Sequence, residues 1–112
     1  MKIKIATLSN FEGEILESSK SSVVKFANDG CHLCVNLKPI CERLAEDLKD
    51  KYKFYDVNTF EEEKLTEIFS DDGVPTIYVF HNGDATEIPY PDSPDEKSGY
   101  SEQYLRDYLE SF

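Results

Sequence analysis

Apolar positions along the chain fall into short alternating runs and longer helical stripes. The segment "KIKIAT", 2–7, alternates apolar with polar residues and predicts a strand. In "SNFE", Ser9 is placed to cap a helix and Glu12 to complete a capping box. "SSVVKFAN", rich in β-branched and aromatic residues, predicts a second strand. Leu33, Leu37, Ile40, Cys41, Leu44, Ala45 and Leu48 then recur at spacings of three and four, which is one apolar face of the longest helix. Pro39 lies inside that stripe and is expected to kink the helix without ending it. "KFYDVN" predicts a third strand, and "TFEE" a second capping box, Thr59 with Glu62, opening a helix that runs to about Phe69. "GVPTIYVFHNGDATEI" predicts a strand, an Asn82–Gly83 turn and a return strand, together a β-hairpin. "PYPDSPDEKSG" holds three of the five prolines and predicts an irregular loop. Ser101 then caps a last helix with Tyr104, Leu105, Tyr108 and Leu109 as its stripe. The order β-α-β-α-β-α-β-β-α predicts an α/β fold, a central mixed β-sheet with helices on both faces. Its crossover units are expected to be parallel and its hairpin to add an antiparallel edge.

The 112 residues make one domain's length, and no repeat or linker divides 1–112. Twenty-three acidic residues against 12 basic ones give a net charge of −11. That excess works against binding nucleic acid, whose phosphates need neutralising, and against an anionic membrane surface. Most of it is a solvated surface, and the remainder favours basic partners. "MKIKIATLSNFEGE" lacks an uninterrupted apolar core, so no signal peptide is expected, and no stretch is long and apolar enough to span a membrane. The expectation is a cytoplasmic monomer. Three cysteines, an odd count, do not make a secreted disulfide scaffold.

Cys31 and Cys34 stand three apart where the second strand gives way to the longest helix. They could be a redox pair, half of a metal site, or two buried thiols. A helix N-terminus presents unpaired N–H groups and partial positive charge, which stabilise a thiolate. Cys31, at or just before the cap, gains most from this, and Cys34, one turn on, is expected to be more buried and less acidic. That division suits an attack by Cys31 on a disulfide, followed by resolution by Cys34.

"CHLC" together with "GVPT", Gly73 to Thr76, resembles the two-part signature of the thioredoxins, and the resemblance covers nearly the whole chain. "VVKFAND" corresponds to the family's active-site strand, Pro39 to its helix-kink proline and "FHNG" to its hairpin turn. The resemblance implies a thioredoxin fold and thiol–disulfide exchange without a bound cofactor or metal. It implies protein disulfides as substrates and a separate thioredoxin reductase as electron donor. It further implies a cis Val74–Pro75 bond against the dithiol. Gly30, Leu33, Val74, Pro75 and Gly99 would then lie on the substrate face.

The departures are specific. The family's usual run is Trp-Cys-Gly-Pro-Cys, and here it is Gly30-Cys31-His32-Leu33-Cys34, in a chain without tryptophan. The family's buried Asp on the active-site strand is replaced by Lys25, and its partner Lys on the next strand by Asp56. An ion pair with its ends exchanged is expected, tuning thiol acidity and proton transfer. The other reading has Lys25 snorkelling to a sheet edge and Asp56 exposed. His32 beside Cys31 would favour the thiolate and a more oxidising couple, or else be an exposed helix-start residue.

Other readings compete with a disulfide reductase. A zinc site on Cys31, His32 and Cys34 lacks a convincing fourth ligand, since Cys41 lies on the apolar stripe and His81 beside a turn. A thioredoxin-fold module that binds a partner without turnover, or a more oxidising isomerase-like variant, is the alternative to a disulfide reductase.

Overall fold

The computed structural model describes residues 3–112. Strand β1 is Ile3–Ile5, and Lys2 of the expected strand lies outside the described residues. The first helix, α1, is Leu8–Phe11, and it continues into a wider π-helical turn, Glu12–Leu16. Its start differs from expectation. Thr7, not Ser9, is the cap residue, and the Thr7 N–H donates to Asn10 Oδ1 at 2.8 Å. The carboxamide of Asn10 is one turn inside the helix and does the work expected of Glu12.

Strand β2, Ser21–Ala27, leads to α2, His32–Asp47, with Pro39 inside it. Strand β3 is Tyr52–Asn58 and α3 is Glu63–Phe69. Here too the expected box is absent. Asn58 Oδ1 accepts the Phe60 N–H at 2.9 Å and the Asn58 carbonyl accepts from Glu61 and Glu62, so a turn occupies Thr59–Phe60 and the helix starts later. An Asn side chain competes well for local backbone donors, which favours the turn.

Strands β4, Thr76–His81, and β5, Asp84–Glu87, form the expected hairpin, with Asn82 at φ +51° and Gly83 at φ +85° in the turn. Helix α4, Glu102–Ser111, is capped by Ser101, whose Oγ accepts the Tyr104 N–H at 3.1 Å. The sheet order is β1-β3-β2-β4-β5. β1, β3 and β2 are parallel, and β4 is antiparallel to β2. The antiparallel part therefore begins one strand earlier than expected. The third crossover is not a parallel unit, because β4 starts beside the carboxyl end of β2, with Thr76 opposite Phe26, and runs away from it.

Strand alternation divides the core between two faces. Val23, Phe54, Ile77 and Val79 meet Leu37, Cys41 and Leu44 of α2 and Leu105 and Leu109 of α4. Val24, Phe26, Tyr55 and Phe80 meet Phe11, Ile15 and Leu65 on the other side. Phe69 closes that second layer, its ring 5.3–5.8 Å from those of Phe11, Phe26, Tyr78 and Phe80. Cys41 is buried in the first cluster, as its place on the stripe predicts. The proline-rich loop is not a loose insertion: Asp95 and Gly99 exchange backbone hydrogen bonds at 2.8 Å, and Ser98, Gly99 and Tyr100 are buried.

Candidate active site

Both cysteines are free thiols. β2 ends in the core and the chain turns over Asn28–Gly30, so Cys31 arrives as the N-cap of α2 in extended conformation, φ −110° and ψ +111°. Its Sγ accepts the Cys34 N–H at 3.1 Å, so the thiol takes the place of a capping oxygen and draws directly on a free helix donor. Cys31 is half-buried and Cys34 is fully enclosed. Burial pushes the Cys34 thiol up to about 12; the hydrogen bond with Cys31 adds to this, while a backbone hydrogen bond at Asn28 and the Lys25 charge oppose it. Cys34 is thus the poorly acidic member of the pair.

The loop before β4 meets Cys31 from the opposite side. Val74–Pro75 is a cis peptide bond, and the Val74 carbonyl lies 4.0 Å from Cys31 Sγ. Two buried hydroxyls hold this loop. Ser70 Oγ and Thr76 Oγ1 both donate to the Gly73 carbonyl, at 2.7 and 2.6 Å, where Gly73 adopts φ +128°. That φ favours glycine.

Lys25 and Asp56 are register partners on β2 and β3, on the α2 side of the sheet. Lys25 Nζ approaches Asp56 Oδ1 at 3.5 Å, and Lys25 is 3% exposed. The exchanged ion pair is therefore present, at a separation long for a hydrogen bond, and Lys25 Nζ has no hydrogen-bond partner among the described residues. Although Asp56 keeps 30% of its surface, burial is the stronger influence and raises its carboxyl above the ordinary value, with the Lys25 charge pulling it back. An open cleft of about 160 Å³, lined among others by Lys25, Asp56, Lys38 and Asn58, connects the pair with solvent. The pair is therefore open to water, and the Lys25 charge acts on the Cys34 thiol.

The remaining predicted residues divide. Gly30 is exposed beside Cys31, and Leu33 is half-buried in the first turn of α2. His32 is exposed as the first residue of α2, and no hydrogen bond ties its ring to Cys31 among the described residues. Gly99 is buried in the proline-rich loop at φ +74°, where a Cβ would lie 2.7 Å from the Tyr90 hydroxyl. Its surroundings explain a glycine by space and backbone, not by contact with the thiols. Cys31, Cys34, Leu33, Gly30, Val74 and Pro75 thus share one end of the sheet, with Lys25 and Asp56 beneath. Among the described residues, no three of His, Cys, Asp and Glu gather as a metal-holding group.

Sequence reasoning missed Asn28. Its Oδ1 accepts the Gly30 N–H and its amide donates to Thr59 Oγ1, both at 2.9 Å, tying the β2–α2 and β3–α3 loops together. "NDG" after a strand was the available signal, since Asn side chains commonly bond the backbone two residues on.

The Thioredoxin family model matches residues 2–103. The chain belongs to the thioredoxin family. The family's activity is thiol–disulfide exchange, and the relatives are thioredoxins and protein disulfide-isomerases by name. Thioredoxin of Rickettsia prowazekii is 35% identical over 78 residues, which cover 70% of this chain and 74% of that one. Thioredoxin M4, chloroplastic, of Arabidopsis thaliana is 33% identical over 76 residues, 68% of this chain and 39% of that one. Protein disulfide-isomerase 2-3 of the same plant is 32% identical over 103 residues, 92% of this chain and 23% of that one. The chain therefore spans well under half the length of the last two. This thioredoxin-family site keeps the dithiol at a helix start, and no described helix is long and apolar enough to cross a membrane.

Proposed function

We propose that the chain, as a single domain, reduces disulfides of protein substrates, with Cys31 attacking and Cys34 resolving. The observation that carries this is Cys31 Sγ at the cap of α2, accepting the Cys34 N–H while Cys34 itself is enclosed and held protonated. The Cys31 thiolate attacks one sulfur of the substrate disulfide. A Cys31–substrate bond forms, and the other substrate sulfur leaves as a thiolate that takes up a proton. Cys34 then loses its proton and attacks Cys31 Sγ. The Cys31–Cys34 disulfide forms, the second substrate thiol is released, and two electrons have passed to the substrate. The Cys34 proton needs an acceptor, and Asp56, paired with Lys25 and open to water through the cleft, would take or relay it. Val74 and Pro75 would offer backbone to the substrate chain, with Gly30 and Leu33 on the same face, and His32 would tune the couple. A separate thioredoxin reductase would return the electrons, in the cytoplasm, to a monomer that carries no cofactor.

The test is a Cys34→Ser variant, which is expected to accumulate a mixed disulfide through Cys31, seen as an adduct that dithiothreitol releases. Adducts on Cys34 in a Cys31→Ser variant, with none on Cys31 in the Cys34→Ser variant, would reverse the assignment. The isomerase relatives favour a second reading, a more oxidising couple. Equilibration in glutathione buffers separates the two. A potential near about −270 mV supports a reductant, and one toward about −180 mV supports an oxidant or isomerase.

A further inference from the structure

Phe60 is the most exposed large apolar residue on the molecule's described surface, at 72%. It sits beside the residue that precedes the attacking thiol. A Cβ built on Gly30 would lie 3.4 Å from the tip of the Phe60 ring, so the ring rests against the residue that precedes Cys31. Its turn is fixed at both ends. Asn58 Oδ1 holds the Phe60 N–H at 2.9 Å, and the Asn28 amide holds neighbouring Thr59 to the active-site loop. The Thr59 N–H also donates to the Ala27 carbonyl at 3.0 Å. The backbone under the ring is thereby fixed, and an aromatic side chain has only two torsions to order on binding, which suits an anchor.

The exposed charges that flank the ring and the site loops in sequence have one prevailing sign. Asp29 precedes Gly30 and is exposed, with Lys38 3.2 Å away as its partner. Glu61 follows Phe60 and is exposed, as are Glu63, Asp71 and Asp72, the last two just before Gly73 and Val74. The nearby cations are Lys38 and the exposed Lys64, fewer than the acids.

We propose that Phe60 is the specificity-determining platform of this site. It would receive an apolar side chain flanking the substrate's half-cystine, in a substrate segment that carries basic residues for the acidic rim. The occupant is a segment of a substrate protein, and the inference rests on the exchange reading above. Apolar contact supplies affinity at the ring, and the rim selects by charge.

The experiment compares reduced wild type with Phe60→Ala and Phe60→Trp on three probes. These are the neutral disulfide 2,2′-dithiodipyridine, a disulfide peptide with Leu and Lys beside its cysteines, and the same peptide with Ser and Glu there. Wild type is expected to favour the Leu-Lys peptide, and the preference shrinks as salt is raised. In Phe60→Ala, kcat/KM for that peptide falls about tenfold more than for dithiodipyridine, mainly through KM. Phe60→Trp keeps the preference. Equal losses on the peptide and the small disulfide, or a preference for the Ser-Glu peptide, would overturn the platform while leaving exchange intact. Tighter self-association of wild type than of Phe60→Ala, with no peptide preference, would assign the ring to a second copy instead. Failure of wild type to react with dithiodipyridine would remove the exchange reading and the platform with it.

Discussion

The two cysteines of the site differ by environment and not by sequence neighbourhood. Cys31 is half-buried and accepts an N–H, whereas Cys34 is enclosed and pushed up to about 12. Cys41 is pushed up to about 11, burial again being the main cause. At pH 7 both thiols therefore stay protonated. Brief alkylation of the reduced protein with iodoacetamide at pH 7 is therefore expected to place one label per chain, on Cys31. Peptide mass mapping checks this, and early label on Cys34 would contradict the assigned order of attack. The position of Cys31 was legible from a strand followed by a helical stripe. That of Phe60 was not: "TFEE" satisfies a capping-box pattern, and only the competing Asn58 turn makes Phe60 a surface anchor.

At the scale of elements, the decisive contact is between β2 and β3. Lys25 is buried, pairs with Asp56 and has no hydrogen-bond partner among the described residues, so removing the Asp56 charge leaves a buried cation without its ion pair. Asp56→Asn is expected to cost about 2–4 kcal/mol, near the range for breaking buried pairs and tempered by the partial exposure of Asp56. Adding Lys25→Met should recover most of that loss, because the unpaired charge is gone. Urea unfolding of the two single variants and the double variant measures the coupling, and additive losses would show that the pair does not interact. The elements themselves were largely readable. Alternation gave the strands, three- and four-residue spacing gave α2 and α4, and Asn-Gly gave the hairpin, because each signal is local. The direction of β4 was not readable, since it depends on where the chain meets β2 after α3. The burial of Ser98–Tyr100 was hidden for the same reason, as composition marks a loop but not what it packs against.

For the whole molecule, buried acids that ionise late make stability depend on alkaline pH. Cys34 and Cys41 have folded values of about 12 and about 11, against an ordinary value of 9.0. Tyr52 and Tyr55 are raised to about 12 from 10.0, through burial first. All four hold protons in the fold that the unfolded chain has released. Their contribution is complete below pH 9 and is lost as pH rises through the folded values, so unfolding becomes easier above about pH 9. Urea midpoints of reduced protein at pH 7.5, 9 and 10.5 are expected to fall in that order, and a midpoint constant to pH 10.5 would contradict it. The order of strands has a separate consequence. The sheet's two outer strands are three and four residues long, and β5 is exposed throughout with Asp84 and Glu87 at its ends. A short rim with like charges offers another chain little to pair with, so the molecule resists growing edge to edge into fibrils at the concentrations its own net charge of −11 allows in solution.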